Sequence, residues 1–202
     1  MDSDEWDERY SGAEYQWKMA PNQFVAAQLA DLTGDRALDL AAGEGRNAVW
    51  LAERGWRVTA VDFSRVGLEK GRKLAASRGV AGIDWVVADL RDYRPAAGAF
   101  DLVLIAYLHC EPSLRADVLG RAASALAPGG TLFVIGHDLA NLSEGTGGPQ
   151  DPAVLYTAES LRAELPGLSV LRAEQVRRTV GDATAIDILL WGVRASSAGQ
   201  GG

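Results

Sequence analysis

The stretch ALDLAAGEGRNAVWLAERGWRVTAVDFS, residues 37–64, constrains the chain more than any other. An apolar run enters two glycines, a helix-like run follows, and a second apolar run ends in an acid. A strand that meets glycines and then a helix puts bare backbone at the carboxyl end of a parallel strand, where ligands of open α/β folds bind. A side chain at these positions would hold a ligand away from that backbone. Gly43-Glu44-Gly45-Arg46-Asn47-Ala48 satisfies the dinucleotide pattern with Ala as its third small residue, and Asp62 follows Gly43 by 19 positions, where a ribose-binding acid is expected.

Asp39 separates the possible ligands. It lies inside the first apolar run, ahead of Gly43. A dinucleotide-binding turn usually carries apolar residues there, because a buried carboxylate repels a pyrophosphate. A cationic ligand reverses that preference, since a carboxylate near an ammonium or sulfonium centre is favourable where water is partly excluded.

From residue 36 short apolar strands alternate with amphipathic runs, the pattern of repeated βα units and a mainly parallel sheet. Strands are expected at about 36–41, RVTAVDF, IDWVVADL, AFDLVLIAY and TLFVIGH. Helices are expected at RNAVWLAERG, from the N-cap Ser64 to about Gly79, and from Ser113 to about Leu126, stopping before PGG. Residues 139–153, LANLSEGTGGPQDPA, read as a long irregular loop of the kind that serves as a lid. TAESLRAELPG then reads as a helix with a capping box, Thr157 as N-cap and Ser160 in the place where Glu would be ideal. Two final strands, about 168–178 and 184–194, are joined by VGDA, which suits a hairpin and an antiparallel partner.

At 202 residues the length fits one domain, expected over 1–195 with a flexible tail at 196–202. The first 35 residues, with Trp6, Tyr10, Tyr15, Trp17 and Phe24, are expected to pack as an aromatic helical cap. A net charge of -7 disfavours a nucleic-acid partner, whose phosphates call for clustered Lys and Arg. The single Cys110 excludes an intramolecular disulfide. The acidic start MDSDEWDERY does not resemble a signal peptide, and no run reaches the roughly 18 apolar residues of a membrane span, so the cytoplasm is expected, without a membrane partner.

The ordered motifs DLAAGEG, Asp62 closing the second strand, ADL with Asp89, FDLVLIAYLH and LAPGGTLFVIGHD resemble the class I S-adenosylmethionine-dependent methyltransferases over roughly residues 36–138. The GEGRNAVWLAERGWRVTAVDFS form looks closest to a small bacterial branch related to tellurite-resistance and thiopurine-type enzymes. The resemblance implies a Rossmann-like, doubly wound α/β sheet of seven strands, the last antiparallel, with helices on both faces. It implies S-adenosylmethionine as cofactor and methyl transfer to a small-molecule acceptor by a monomer or homodimer. One position departs from the pattern: the family's first glycine is Ala41 here.

By the same resemblance Asp39 and the backbone of Ala41, Gly43 and Gly45 surround the methionine part of the cofactor. Asp62 takes the ribose hydroxyls, Phe63 lies on the adenine face, and Asp89 accepts from the adenine amino group with Leu90 beside it. Arg46 and Asn47 begin a helix beside the cofactor, Ala106 and Tyr107 line the site, and Trp17 closes it. His109 and His137 fall at carboxyl ends of strands and are the acid/base candidates, together with Tyr107. Cys110 and Glu111 lack the ligand spacing of a metal site, and no metal is expected. Two rivals remain open: an NAD(P)-dependent oxidoreductase on the same glycine turn, and a non-catalytic module that binds S-adenosylmethionine.

Overall fold

The computed structural model describes residues 3–12 and 14–196, so the expected tail at 196–202 lies almost wholly outside the described residues. The protein is α/β, with a seven-stranded mixed sheet in the Rossmann-like, doubly wound arrangement. The chain divides into two units, Met1–Arg94 and Pro95–Gly202.

The first unit holds helices α1 (Ser3–Tyr10) and α2 (Gln23–Leu29), strand β1 (Arg36–Leu40), helix α3 (Arg46–Glu53), strand β2 (Arg57–Asp62), helix α4 (Arg65–Ser77) and strand β3 (Ile83–Val87). Its strands run parallel, β1 pairing β2 and β2 pairing β3. Both inner strands are buried almost throughout, as parallel strands covered on two faces must be. Ser64 caps α4 by accepting the Gly67 amide at 3.0 Å, and Gly55, at φ +92°, turns the chain after α3, as the sequence predicts. β3 stops at Val87 instead of running to Leu90, because Asp89 starts a turn that its own carbonyl closes with the Asp92 and Tyr93 amides.

The second unit holds strand β4 (Phe100–Ala106), helix α5 (Pro112–Ala125), strand β5 (Leu126–His137), helices α6 (Asn141–Glu144) and α7 (Ala158–Ala163), and strands β6 (Ser169–Val180) and β7 (Ala183–Val193). β4 pairs β5 in parallel, while β7 lies antiparallel between β5 and β6. The expected hairpin and antiparallel last strand are therefore present; its two-residue turn uses Gly181 at φ +59°. The capping box of α7 forms as read, with Thr157 and Ser160 exchanging backbone and side-chain bonds.

Two sequence expectations change in this unit. β5 begins at Leu126, before the Pro-Gly-Gly, because the Phe100–Leu126 pairing starts ahead of a register shift. The stretch 139–153 is not irregular throughout: it contains α6 and a 3₁₀ turn at Pro152–Val154, capped by Asp151.

Candidate functional site

In the first unit the turn after β1 is held by an acid from the next strand. Asp62 accepts the Gly43 amide at 2.8 Å through one oxygen and the Ser64 amide at 2.8 Å through the other. Burial nevertheless pushes its carboxyl above the ordinary range, against these two bonds. Ala41 adopts φ +58° and Gly43 φ +54°, left-handed conformations that tighten the chain where it leaves the strand.

The bare faces of the two glycines are covered by protein. A Cβ on Gly43 would stand 2.9 Å from the phenolic oxygen of Tyr10, and one on Gly45 would stand 2.5 Å from the ring of Trp85. Their lack of a side chain therefore serves internal packing directly. Glu44, between them, is 3% exposed and accepts the Gln16 and Trp17 amides at 3.0 and 3.1 Å, with Lys70 Nζ at 3.1 Å. It straps the N-terminal segment to the turn, a role that local sequence does not reveal, since its partners lie 26 to 28 residues away.

Asp39 is the exception to this pairing. It is 1% exposed, and neither oxygen meets a hydrogen-bond partner among the described residues. Burial, reinforced by Asp62, pushes its carboxyl up to about 8, with the Arg46 charge pulling the other way. A buried polar group without a partner costs roughly 1–3 kcal/mol, and more when ionised. A cationic ligand would supply the missing partner, whereas a pyrophosphate would worsen the repulsion.

In the second unit a different acid collects partners. Asp187, on β7, has no exposed surface. Its Oδ2 accepts the Tyr107 hydroxyl at 2.8 Å and Arg178 Nε at 2.9 Å, and its Oδ1 lies 3.0 Å from His137 Nδ1, close but off a straight line. Burial would raise its carboxyl, but His137, Arg178 and Tyr107 together hold it below the ordinary value. Tyr107 sits at φ +59°, a strained conformation for an aromatic residue, with its amide donating to the Ile135 carbonyl at 2.7 Å.

His109 stacks on His137 with ring centroids 5.2 Å apart. Its Nδ1 lies 3.2 Å from the Val154 carbonyl, which can only accept, so Nδ1 carries the proton; Nε2 accepts the His137 amide at 3.4 Å. Burial pushes this imidazole down to about 4, so it is neutral near pH 7. Burial likewise pushes the Cys110 thiol up to about 11, away from reactivity.

Residues 37–130 match the family model described as a methyltransferase domain. Along the sequence, the chain is 36% identical over 126 residues to the demethylmenaquinone methyltransferase of Clavibacter sepedonicus, covering 61% of this chain and 48% of that protein. It is 30% identical over 114 residues to the 2-heptyl-1-hydroxyquinolin-4(1H)-one methyltransferase of Mycobacteroides abscessus, covering 55% and 50%. A solved structure from work on the conversion of a disulfide bond into a thioacetal group during echinomycin biosynthesis superposes with a TM-score of 0.77 at 22% identity, over 98% of this chain and 94% of that one. Over residues 37–130 the chain carries a methyltransferase domain, in agreement with the resemblance to the class I S-adenosylmethionine-dependent methyltransferases. It spans about half the length of the relatives just named. The tellurite-resistance branch gains no such support, since likeness to solved structures at this identity shows the fold alone.

In the matched domain the expected cofactor residues Asp39, Ala41, Gly43, Gly45, Arg46, Asn47 and Asp62 gather at the turn between β1 and α3 and at the end of β2. Besides Asp62, whose two amides are described above, Asn47 and the expected adenine-binding Asp89 carry partners within the protein. Asn47 Oδ1 accepts the Asn22 amide at 2.9 Å, and Asp89 takes Arg91 through its amide and guanidinium at 2.6 to 2.9 Å, which holds its carboxyl below the ordinary range. Phe63 and Leu90 are half-buried, and Trp17 is 42% exposed with the Arg46 guanidinium 6.0 Å from its ring. Ala106, half-buried, ends β4 immediately before Tyr107.

Asp187 and Arg178 escaped sequence reasoning. The available signal was a lone acid in the apolar run AIDILLW, which no satisfied strand would carry without a partner. Asp138, the obvious neighbour of His137, turns out to cap the loop start by accepting the Ala140 amide at 2.9 Å and Gln175 Nε2 at 2.8 Å.

Proposed function

We propose that this chain transfers the methyl group of S-adenosylmethionine to a small-molecule acceptor. The observation that carries this reading is Asp39, a fully buried carboxylate without a hydrogen-bond partner at the carboxyl end of β1. It favours a cationic ligand, and Asp62, adjoining the same turn, retains lone-pair capacity for ribose hydroxyls beyond the two amides it already accepts. When bound, the cofactor supplies an electrophilic methyl on a sulfonium whose sulfur leaves with the bonding pair. The chain's own share is to bind, orient and exclude water.

A small acceptor is favoured by the printed names of the two relatives above, one for demethylmenaquinone and one for 2-heptyl-1-hydroxyquinolin-4(1H)-one. In this reading residues 139–153 cover the acceptor and the N-terminal aromatic segment covers the cofactor. The protein acts in the cytoplasm as a monomer or homodimer; no helix among the described residues is long and apolar enough to cross a membrane. Isothermal titration with S-adenosylmethionine, S-adenosylhomocysteine and NAD tests the proposal. Binding of the first two and not the third is expected; absence of binding at hundreds of micromolar would overturn it.

A further inference from the structure

We infer that His137, oriented by Asp187, is a proton acceptor for a hydroxyl-bearing methyl acceptor, and that Asp187, Tyr107 and Arg178 are the residues that position it. The inference rests on the methyl-transfer reading and names the class of acceptor.

Asp187 is a costly residue to place where it is. It stands in the buried strand β7 among Ile186, Ile188, Leu189 and Leu190, all without exposed surface. Such an acid persists when its partners are fixed, and here they come from three other places: Tyr107 after β4, His137 at the end of β5, and Arg178 on β6. The division of labour between its oxygens is informative. Oδ2 takes both the hydroxyl and the guanidinium, which leaves Oδ1 to face His137 Nδ1 alone. An ionised carboxylate beside one ring nitrogen draws the proton to that nitrogen, so the lone pair of the neutral imidazole is on Nε2.

Nε2 has no hydrogen-bond partner among the described residues, and the His137 side chain keeps 12% of its surface open. The loop after β5 passes directly beside it. A Cβ on Gly148 would stand 2.8 Å from Nε2 and 2.6 Å from Cδ2, and Gly148 is at φ +76°. Only a glycine lets the loop run past this nitrogen without a side chain against it. Among the described residues, Asp187, Tyr107 and His109 lie against the ring, and Arg178 lies behind Asp187 on the same carboxylate. Arg178 donates to Asp187 Oδ2, the oxygen turned away from the imidazole, and so fixes the carboxylate that faces His137.

His109 does not compete for this role. Both of its ring nitrogens are taken by backbone groups, and its neutrality spares His137 a second positive charge at 5.2 Å.

A dyad of this kind is needed for an acceptor whose nucleophilic atom carries a proton near neutral pH. A phenol, or a hydroxyl on a heteroaromatic ring, fits; a thiolate needs no base. In the step, the O–H bond breaks and its electron pair stays on oxygen as the nucleophile. The proton goes to Nε2, and the imidazolium later returns it to water.

The experiment uses the full chain, with ¹⁵N-histidine spectra recorded with phenol, catechol and 2-heptyl-1-hydroxyquinolin-4(1H)-one as probes. With only two histidines, the variant His109→Gln assigns the signals. Wild type should show a protonated Nδ1 and a bare Nε2 on His137, and at least one probe should shift Nε2 selectively. Asp187→Asn, or Tyr107→Phe should that variant fail to fold, should scramble the tautomer. With a probe that is methylated, His137→Gln should lower kcat by roughly 10²-fold or more at pH 7, with the loss shrinking as pH rises and with cofactor affinity unchanged. A proton on Nε2 in wild type, an Nε2 unmoved by all three probes, or a rate within twofold in His137→Gln would each overturn the inference. Cofactor titration is read separately, so loss of S-adenosylmethionine binding would sink the methyl-transfer reading and leave the histidine result distinct.

Discussion

Asp62 holds Gly43 by its amide at 2.8 Å, so the acid that closes β2 also fixes the turn that opens α3. A carboxylate with this double duty predicts coupled losses. Asp62→Ala should weaken S-adenosylmethionine binding by about ten-fold or more, as expected for charge-assisted hydrogen bonds, and should also lower Tm. Asp62→Asn retains one acceptor oxygen for the Gly43 amide and should recover part of the stability but less of the affinity. Titration and thermal melts on the two variants check this; equal affinity in wild type and Asp62→Ala would remove Asp62 from the binding site.

Asp39 predicts a proton that leaves when the cofactor arrives. Its folded value, about 8, is above the ordinary 3.8, so the folded protein favours the protonated acid. The corresponding stability is fully present below about pH 4 and is lost as pH rises through 8. A cationic ligand reverses the preference, so binding at pH 7 should release close to one proton, and affinity should rise up to about tenfold per pH unit between 6 and 8. Titration in buffers of different ionisation enthalpy counts that proton. Asp39→Asn should abolish the release, weaken binding and raise Tm at pH 8; a variant that binds as tightly as wild type with the same proton count would contradict the assignment.

How much of this was legible in the sequence depended on how far apart the partners lie. Asp39, Gly43, Gly45 and Asp62 fall within one βα unit, so spacing alone brought them together. The VGDA hairpin and the Thr157 capping box are local for the same reason. Tyr107 and Asp187 are 80 residues apart, and only antiparallel pairing of β7 with β5 sets Asp187 opposite His137. Glu44 was hidden differently: within a glycine motif its side chain looked like surface, and only the returning N-terminal segment buries it. Pro128, Gly129 and Gly130 suggested a break, and they do interrupt the β4 pairing, which jumps from Leu126 to Thr131 across a register shift while the strand itself begins at Leu126.

Ala41 carries strain that a substitution can remove. An L-residue at φ +58° pays roughly 1–2 kcal/mol that glycine avoids, offset in part by glycine's greater unfolded-state freedom. Ala41→Gly should therefore stabilise the protein by about 0.5–1 kcal/mol, seen as a rise in the denaturation midpoint with an unchanged slope. A fall in the midpoint would mean that the methyl group packs usefully where it stands.

His109 predicts an acid limb of instability. Its value is pushed down to about 4 from 6.5, so the folded protein favours the neutral ring. The stability it contributes is present above pH 6.5 and is lost as pH falls through 4, amounting to about 3 kcal/mol. This opposes the Asp39 trend, so the two must be separated by variants. His109→Gln should flatten the wild-type decline between pH 6.5 and 4 in chemical denaturation, at the cost of lower stability at pH 7. An unchanged slope in that window would show that the ring protonates as freely folded as unfolded.

Glu44 predicts a releasable strap. Its carboxylate is buried with Lys70, whose side chain is 13% exposed, and it accepts two consecutive backbone amides. Removing one partner of a buried ion pair leaves the other charge uncompensated and typically costs 3–5 kcal/mol, about the scale of holding a short segment in place. Glu44→Ala frees the Gln16 and Trp17 amides together, next to the exposed Lys18. Helix α1 keeps its separate anchor through Asp7, which accepts from the Val66 amide at 3.2 Å. The expected outcome is therefore a local opening: trypsin should cleave after Lys18 at least about tenfold faster than in wild type, because exposure of the open form tracks its free energy. Cleavage spread evenly over the chain would instead mean that Glu44 supports the whole first unit, and an unchanged rate would mean that the aromatic side chains hold the segment without it.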